Sequence, residues 1–137
     1  MLADRAGVAA AEFALVASII LVLLLGVFDL GLWVWESMAL EGAVIAGGHY
    51  AQQFPGDSTG IHDAIVAALP PSLADATIAT PAMTRDCGDG GGPVPDSGVC
   101  SPGSPRTFVT LSVSYPYSPL YLTTLTRASV QYVIRVQ

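Results

Sequence analysis

The sequence predicts an α+β chain with one membrane-crossing helix, and three observations carry that prediction. From Phe13 to Phe28 no side chain is charged, so a long helix at the start must sit in lipid or against other apolar helices. Leu40, Ala43, Val44, Gly47, Tyr50, Ala51 and Phe54 then recur at three- and four-residue steps, one face of a continuing helix. Towards the other end, Val109, Leu111, Val113 and Tyr115 alternate with Thr110, Ser112 and Ser114. Period two over that length is an antiparallel strand with one wet face. The expected fold is a long N-terminal helix, a short second helix and a small antiparallel sheet of about three strands.

The first helix carries the membrane expectation. Val8 to Phe28 spans about 31 Å at 1.5 Å per residue, which matches a hydrocarbon core of about 30 Å. Trp33 and Trp35 follow just beyond Asp29, where aromatic side chains anchor at the headgroups. Asp29 itself is expected to be a solvated residue marking the outer end of the span. Arg5 is the cation at one flank, whereas Asp29, Glu36 and Glu41 lie at the other with no base before Arg85. That bias puts the N-terminus in the cytoplasm and the remainder outside. A removable secretory signal has a shorter apolar core, a more basic start and a small-residue cleavage site after it. Past the membrane, Gly42, Gly47 and Gly48 each weaken the helix by roughly 1 kcal/mol relative to alanine and make a bend possible. Pro55-Gly56 ends it.

The second helix begins among the caps Asp57, Ser58 and Thr59. Ile61, Ala64, Ile65, Ala68 and Leu69 form its apolar face, and Pro70-Pro71 stops it. Residues 76–84 read as a strand that Pro81 confines to an edge. Residues 107–115 form the next strand. The last sets Ala128, Val130, Tyr132, Ile134 and Val136 opposite Arg127, Ser129, Gln131 and Arg135. Between the first two strands, residues 88–103 are a loop by their glycine and proline content. Cys87 and Cys100 flank most of it. Such a lone pair is redox-active or metal-binding in a reducing compartment and a structural bridge in an oxidising one.

Composition excludes several classes of function. Eleven acids stand against five bases, all arginine, for a formal charge of -6. That balance repels nucleic-acid phosphates. His49 and His62 have no second histidine or cysteine at metal-ligand spacing. Asp86, Asp89 and Asp96 fit no known calcium-loop spacing. No nucleophile elbow, Walker loop or Ser/His/Asp order is present. The expectation is a protein that is not an enzyme and holds no metal or cofactor.

One residue remains unexplained by these readings. Glu12 lies inside the start of the apolar run, five residues after Gly7. A carboxylate in lipid costs at least about 2.5 kcal/mol, so it calls for a partner. A glutamate near a helix N-terminus is favoured by the helix dipole, but that account leaves Gly7 without a reason. The order Gly7, four small apolar residues, Glu12, Phe13 resembles the processing site of type IV prepilins. The wording AAAEFALV, then Leu21 to Leu25 and Gly26-Val27-Phe28-Asp29-Leu30-Gly31, is similar to the TadE/TadG family. Its members are minor pilins, or pseudopilins, of the tight-adherence (Tad) secretion system.

The resemblance implies cleavage between Gly7 and Val8 by a prepilin peptidase. Residues 1–7 would be the leader, 8–54 the long helix with 8–28 in the membrane, and 55–137 a small extracytoplasmic α+β domain. Glu12, with Phe13 beside it, would pair with the freed amine of Val8, its own or a neighbour's, during assembly. The implied location is the cytoplasmic membrane, single-pass, and then the pilus or cell surface. The implied partners are other Tad pilus subunits, inner-membrane assembly proteins and the lipid bilayer. In that oxidising location Cys87 and Cys100 are expected to close their loop with a disulfide. The alternative is an uncleaved single-span envelope protein with a periplasmic binding domain.

Overall fold

The computed structural model describes residues 3–88, 92–95, 100 and 103–136. One helix, α1, runs without interruption over Ala3–Gln53. The glycines that make a bend possible do not break it. After a turn at Pro55-Gly56 comes α2, Ser58–Ala68, followed by a single 3-10 turn at Pro71–Leu73. Asp57 caps α2 by accepting the Gly60 N–H at 2.9 Å, and its other oxygen accepts the Tyr50 hydroxyl at 2.8 Å. That one carboxylate therefore ties the start of α2 to the end of α1.

Five strands make one antiparallel sheet among the described residues. They are β1 (Thr77–Ile78), β2 (Ala82–Asp86), β3 (Pro93–Val94), β4 (Arg106–Pro116) and β5 (Arg127–Arg135). The long strand β4 is central. β5 lies along one edge of it, from Phe108↔Arg135 to Pro116↔Arg127. β2 and β1 share its other edge end to end, at Ala82↔Thr110 and Ile78↔Val113. The single edge strand expected over 76–84 is thus split into two, because Pro81 cannot donate to the ladder. β3 pairs with β2 from inside the Gly/Pro-rich segment, which the sequence marks only as loop. The count of about three strands holds for the long ones and omits two-residue β1 and β3.

Most residues of the predicted faces are buried or half-buried, but Ala68 of α2 and Tyr132 of β5 are exposed. Val109, Leu111 and Val113 of β4 are buried, as are Ala128 and Ile134 of β5. From α1 the core takes Leu40, Ala43, Val44 and Ala51, and from α2 it takes Ile61 and Ile65. Leu73, in the unpredicted 3-10 turn, completes it. Phe54 departs from the expected face: the helix ends at Gln53, and the ring lies exposed beside Tyr50 with centroids 5.3 Å apart. The last turns of α1 are therefore part of the globular unit, whereas its first half stands clear of it.

At Gly47 and Gly88 the geometry calls for glycine. A Cβ at Gly47 would lie 2.9 Å from Ile65 Cδ1 and closer still to Cγ1, so glycine lets α2 press onto α1. Gly88 has φ +74°, a left-handed conformation, with its N–H held by Asp86 Oδ1 at 2.6 Å. The adjacent Cys87 is bonded to Cys100, Cα–Cα 5.4 Å, and so closes the segment between β2 and β4. Asp89 and Asp96 lie outside the described residues.

Candidate assembly and anchoring site

Past Glu12 the free half of α1 is apolar on every side, and none of the described residues covers it. Phe13 is 75% exposed, and Leu15, Ile19, Leu23, Leu24 and Phe28 are all exposed. A soluble monomer does not present a contiguous apolar surface of this extent, so lipid or other helices must cover it. The helix is long and apolar enough to cross a membrane. Ser18, the hydroxyl within this stretch, bonds back to the Ala14 and Leu15 carbonyls at 2.7 and 3.0 Å. Its polarity is thereby satisfied inside the helix. Around the half-buried Ala17, the larger Phe13, Val16, Ile20, Leu21 and Leu24 leave a shallow apolar notch. A small residue flanked by large ones is where a second helix packs closely in lipid.

The residues singled out near the start fall on the same two turns. Val8 and Glu12, four apart, lie on one face of α1, and both are exposed. Gly7 has open space around the position of a Cβ. Glycine also makes this the weakest point in the local helix, by roughly 1 kcal/mol relative to alanine. Cys87, just past the end of β2, and Cys100, between β3 and β4, are not brought near this group.

The two tryptophans part company. They are two residues apart, about 200° around a helix, and so face opposite ways. Trp33 packs against the core and donates its indole N–H to the Arg127 carbonyl at 3.2 Å. Trp35 is 62% exposed.

Asp29 is not a solvated end-marker. It is completely buried, and its carboxylate accepts four hydrogen bonds. Leu120 N–H donates to Oδ1 at 3.0 Å, while Tyr121 and Leu122 N–H donate to Oδ2 at 2.9 and 2.8 Å. The Tyr117 hydroxyl lies 2.8 Å from Oδ1 and 2.9 Å from the Asp29 carbonyl, and its one proton serves both. Burial alone pushes the carboxyl pKa up. The backbone N–H groups of Leu122, Leu120 and Tyr121 and the Tyr117 hydroxyl overcome that, and hold it well below the usual carboxylate range. Burial and the neighbouring carboxylate push the Tyr117 phenol up to about 12. α1 is thus latched to the β4–β5 connection just past its midpoint, where the apolar run ends.

No sequence signal distinguishes this latch from a solvated aspartate. A second acid is also missed: Glu36 has a buried Oε2 with no hydrogen-bond partner, and burial raises its pKa. The histidines take no part in any of this. His62 Nδ1 lies 3.4 Å from Asp63 Oδ1 at the surface, and His49 is exposed.

Residues 7–49 match the family described as TadE-like protein. This segment of the chain is TadE-like. The match begins at Gly7, takes in Glu12, the apolar run and Asp29, and stops at His49. It covers about a third of the chain and leaves α2 and the sheet outside. No curated protein and no solved structure matches the chain.

Proposed function

We propose that this protein is a minor pilin or pseudopilin that takes part in assembling a Tad-type pilus. In this reading a prepilin peptidase removes residues 1–7. Residues 8–28 hold the subunit in the cytoplasmic membrane, with the domain of residues 55–137 and the end of the long helix outside. Other pilus subunits and inner-membrane assembly proteins then take it up through the same helix.

The observation that carries this reading is Glu12. It is an acid on an otherwise apolar, uncovered helix, four residues after Val8, inside the TadE-like segment. A freed Val8 amine buried among packed helices needs a counter-charge, and Glu12 supplies one. Among the described residues no element covers this half of α1, which supports the same reading, since a binding protein with a simple anchor has no need of Glu12 or Gly7.

Glu12→Ala tests it. Removing the carboxylate makes insertion easier, by about 2.5 kcal/mol or more at full depth, so the variant still reaches the membrane. A lone buried charge left in a subunit contact costs about 3–5 kcal/mol. That is a loss of about two to four orders of magnitude in association, at about 1.4 kcal/mol per tenfold. Crosslinking of the variant to pilus subunits should fall accordingly, and surface piliation with it. Undiminished crosslinks and normal pili in Glu12→Ala would show that Glu12 merely starts a helix.

A further inference from the structure

We propose that the β4–β5 connection, residues 117–126, is a second membrane contact, seating Leu120 and Tyr121 in the interfacial layer of the bilayer beside the exit of α1. The inference rests on residues 8–28 crossing that bilayer.

The depth of the connection follows from how the sheet lies against α1. Trp33 bonds to the Arg127 carbonyl at the start of β5. Gly48 lies against Tyr132 and Ile134 near its end, at 3.3 and 3.7 Å from the position of a Cβ. Fifteen residues of helix at 1.5 Å and about seven of strand at 3.3 Å both cover about 23 Å. β5 therefore runs alongside α1 and away from the membrane, and β4, its antiparallel partner, runs back towards it. The turn joining them is the membrane-proximal end of the domain.

The latch sets its level more closely. Helical side chains lean towards the N-terminus, so the Asp29 carboxylate points back to the turn of Leu25 and Gly26, the last of the apolar run. Three consecutive N–H groups, Leu120 to Leu122, converge on that carboxylate. The loop backbone is held at the depth where the span leaves the hydrocarbon. Because the latch uses backbone N–H groups, the side chains of Leu120 and Tyr121 are not needed for it. They point away from the core, 70% and 49% exposed. An aliphatic and a tyrosine side chain at this level, continuous with the apolar surface of the span, match the chemistry of the headgroup–acyl boundary.

The experiment places an environment-sensitive fluorophore on single cysteines in the full chain, with the native disulfide intact, reconstituted in phosphatidylethanolamine–phosphatidylglycerol vesicles. Leu120→Cys reports the loop. Ile20→Cys reports the span, and Met83→Cys reports the sheet end remote from the membrane, where it pairs with Val109. Met83 is 54% exposed, so the label there displaces nothing. The label at 120 is expected to give blue-shifted emission, quenched more by lipids with a nitroxide near the headgroup than by lipids with one deep in the chain. At 20 the deep nitroxide should quench more, and at 83 neither should. Water-like emission at 120 with a lipid signature at 20 overturns this proposal and leaves the span standing. Water-like emission at 20 overturns the span itself. A blue shift at 120 without quenching by either lipid means that a second copy of the chain covers the loop, which also overturns it.

Discussion

Gly47→Ala and Gly42→Ala are the same change five residues apart on one helix, and only the second should stabilise the protein. Alanine is favoured over glycine inside a helix by about 0.8–1.0 kcal/mol. At Gly42 a Cβ meets nothing within 4 Å, so that gain should appear in full. At Gly47 the added methyl would sit 2.9 Å from Ile65 Cδ1 and 3.5 Å from the Ile61 carbonyl oxygen, with Cγ1 nearer than either. Cγ1 is not the free end of the side chain, so either Ile65 leaves its rotamer or α2 moves. Overfilling of this kind costs about 1–3 kcal/mol, leaving Gly47→Ala neutral to about 2 kcal/mol less stable. The helix term cancels between the two variants, so their difference, about 1–3 kcal/mol, isolates the α1–α2 contact. Urea unfolding of the detergent-solubilised full chain, followed by the fluorescence of Trp33 against β5, measures it. Equal stabilisation of both variants at unchanged m-value would refute the close packing of α2 on α1.

Other perturbations read the remaining contacts. Asp29 titrates in the folded state well below its ordinary 3.8, so the stability it contributes is present above that value. It is lost progressively as pH falls from about 4 towards the depressed folded pKa, and Asp29→Asn should flatten that acid limb in thermal melts between about pH 5 and pH 2. An acid limb as steep in Asp29→Asn as in the parent would mean that the latch is not charged. Breaking the Cys87–Cys100 bridge with Cys87→Ser should lower stability by about 3 kcal/mol in the chain-entropy account while leaving N-terminal processing intact. Mass spectrometry of the unreduced parent should find no alkylatable thiol, and two would contradict the bridge.

What could be read from the sequence was whatever repeats. The 3.6-residue step placed Leu40, Val44, Ile61 and Ile65 in the core, and the two-residue step did the same for Val109, Leu111 and Val113. Punctuation worked too, since Pro55-Gly56 and Pro70-Pro71 end α1 and α2. Pairings that depend on the tertiary fold left no such trace. β1 and β3 are two residues each and exist only because β4 and β2 offer them free edges. The Asp29 latch joins residues about ninety positions apart, and three of its donors are backbone groups, which every sequence possesses. Trp33 and Trp35 look alike in sequence, and only the position of β5 decides which of them is covered. For Gly7, Val8, Glu12 and Phe13 the geometry supplies exposure, and for Val8 and Glu12 a shared face, while the chemistry proposed for them depends on what meets them in the membrane.

The account stands most directly on the N-terminus of the mature protein. Co-expression with the matching prepilin peptidase, membrane extraction and N-terminal sequencing should give Val8 as the first residue, and Gly7→Leu should leave the chain uncut. An intact N-terminus ahead of Gly7 in the presence of an active matching peptidase would contradict the pilin reading and leave an uncleaved single-span envelope protein in its place.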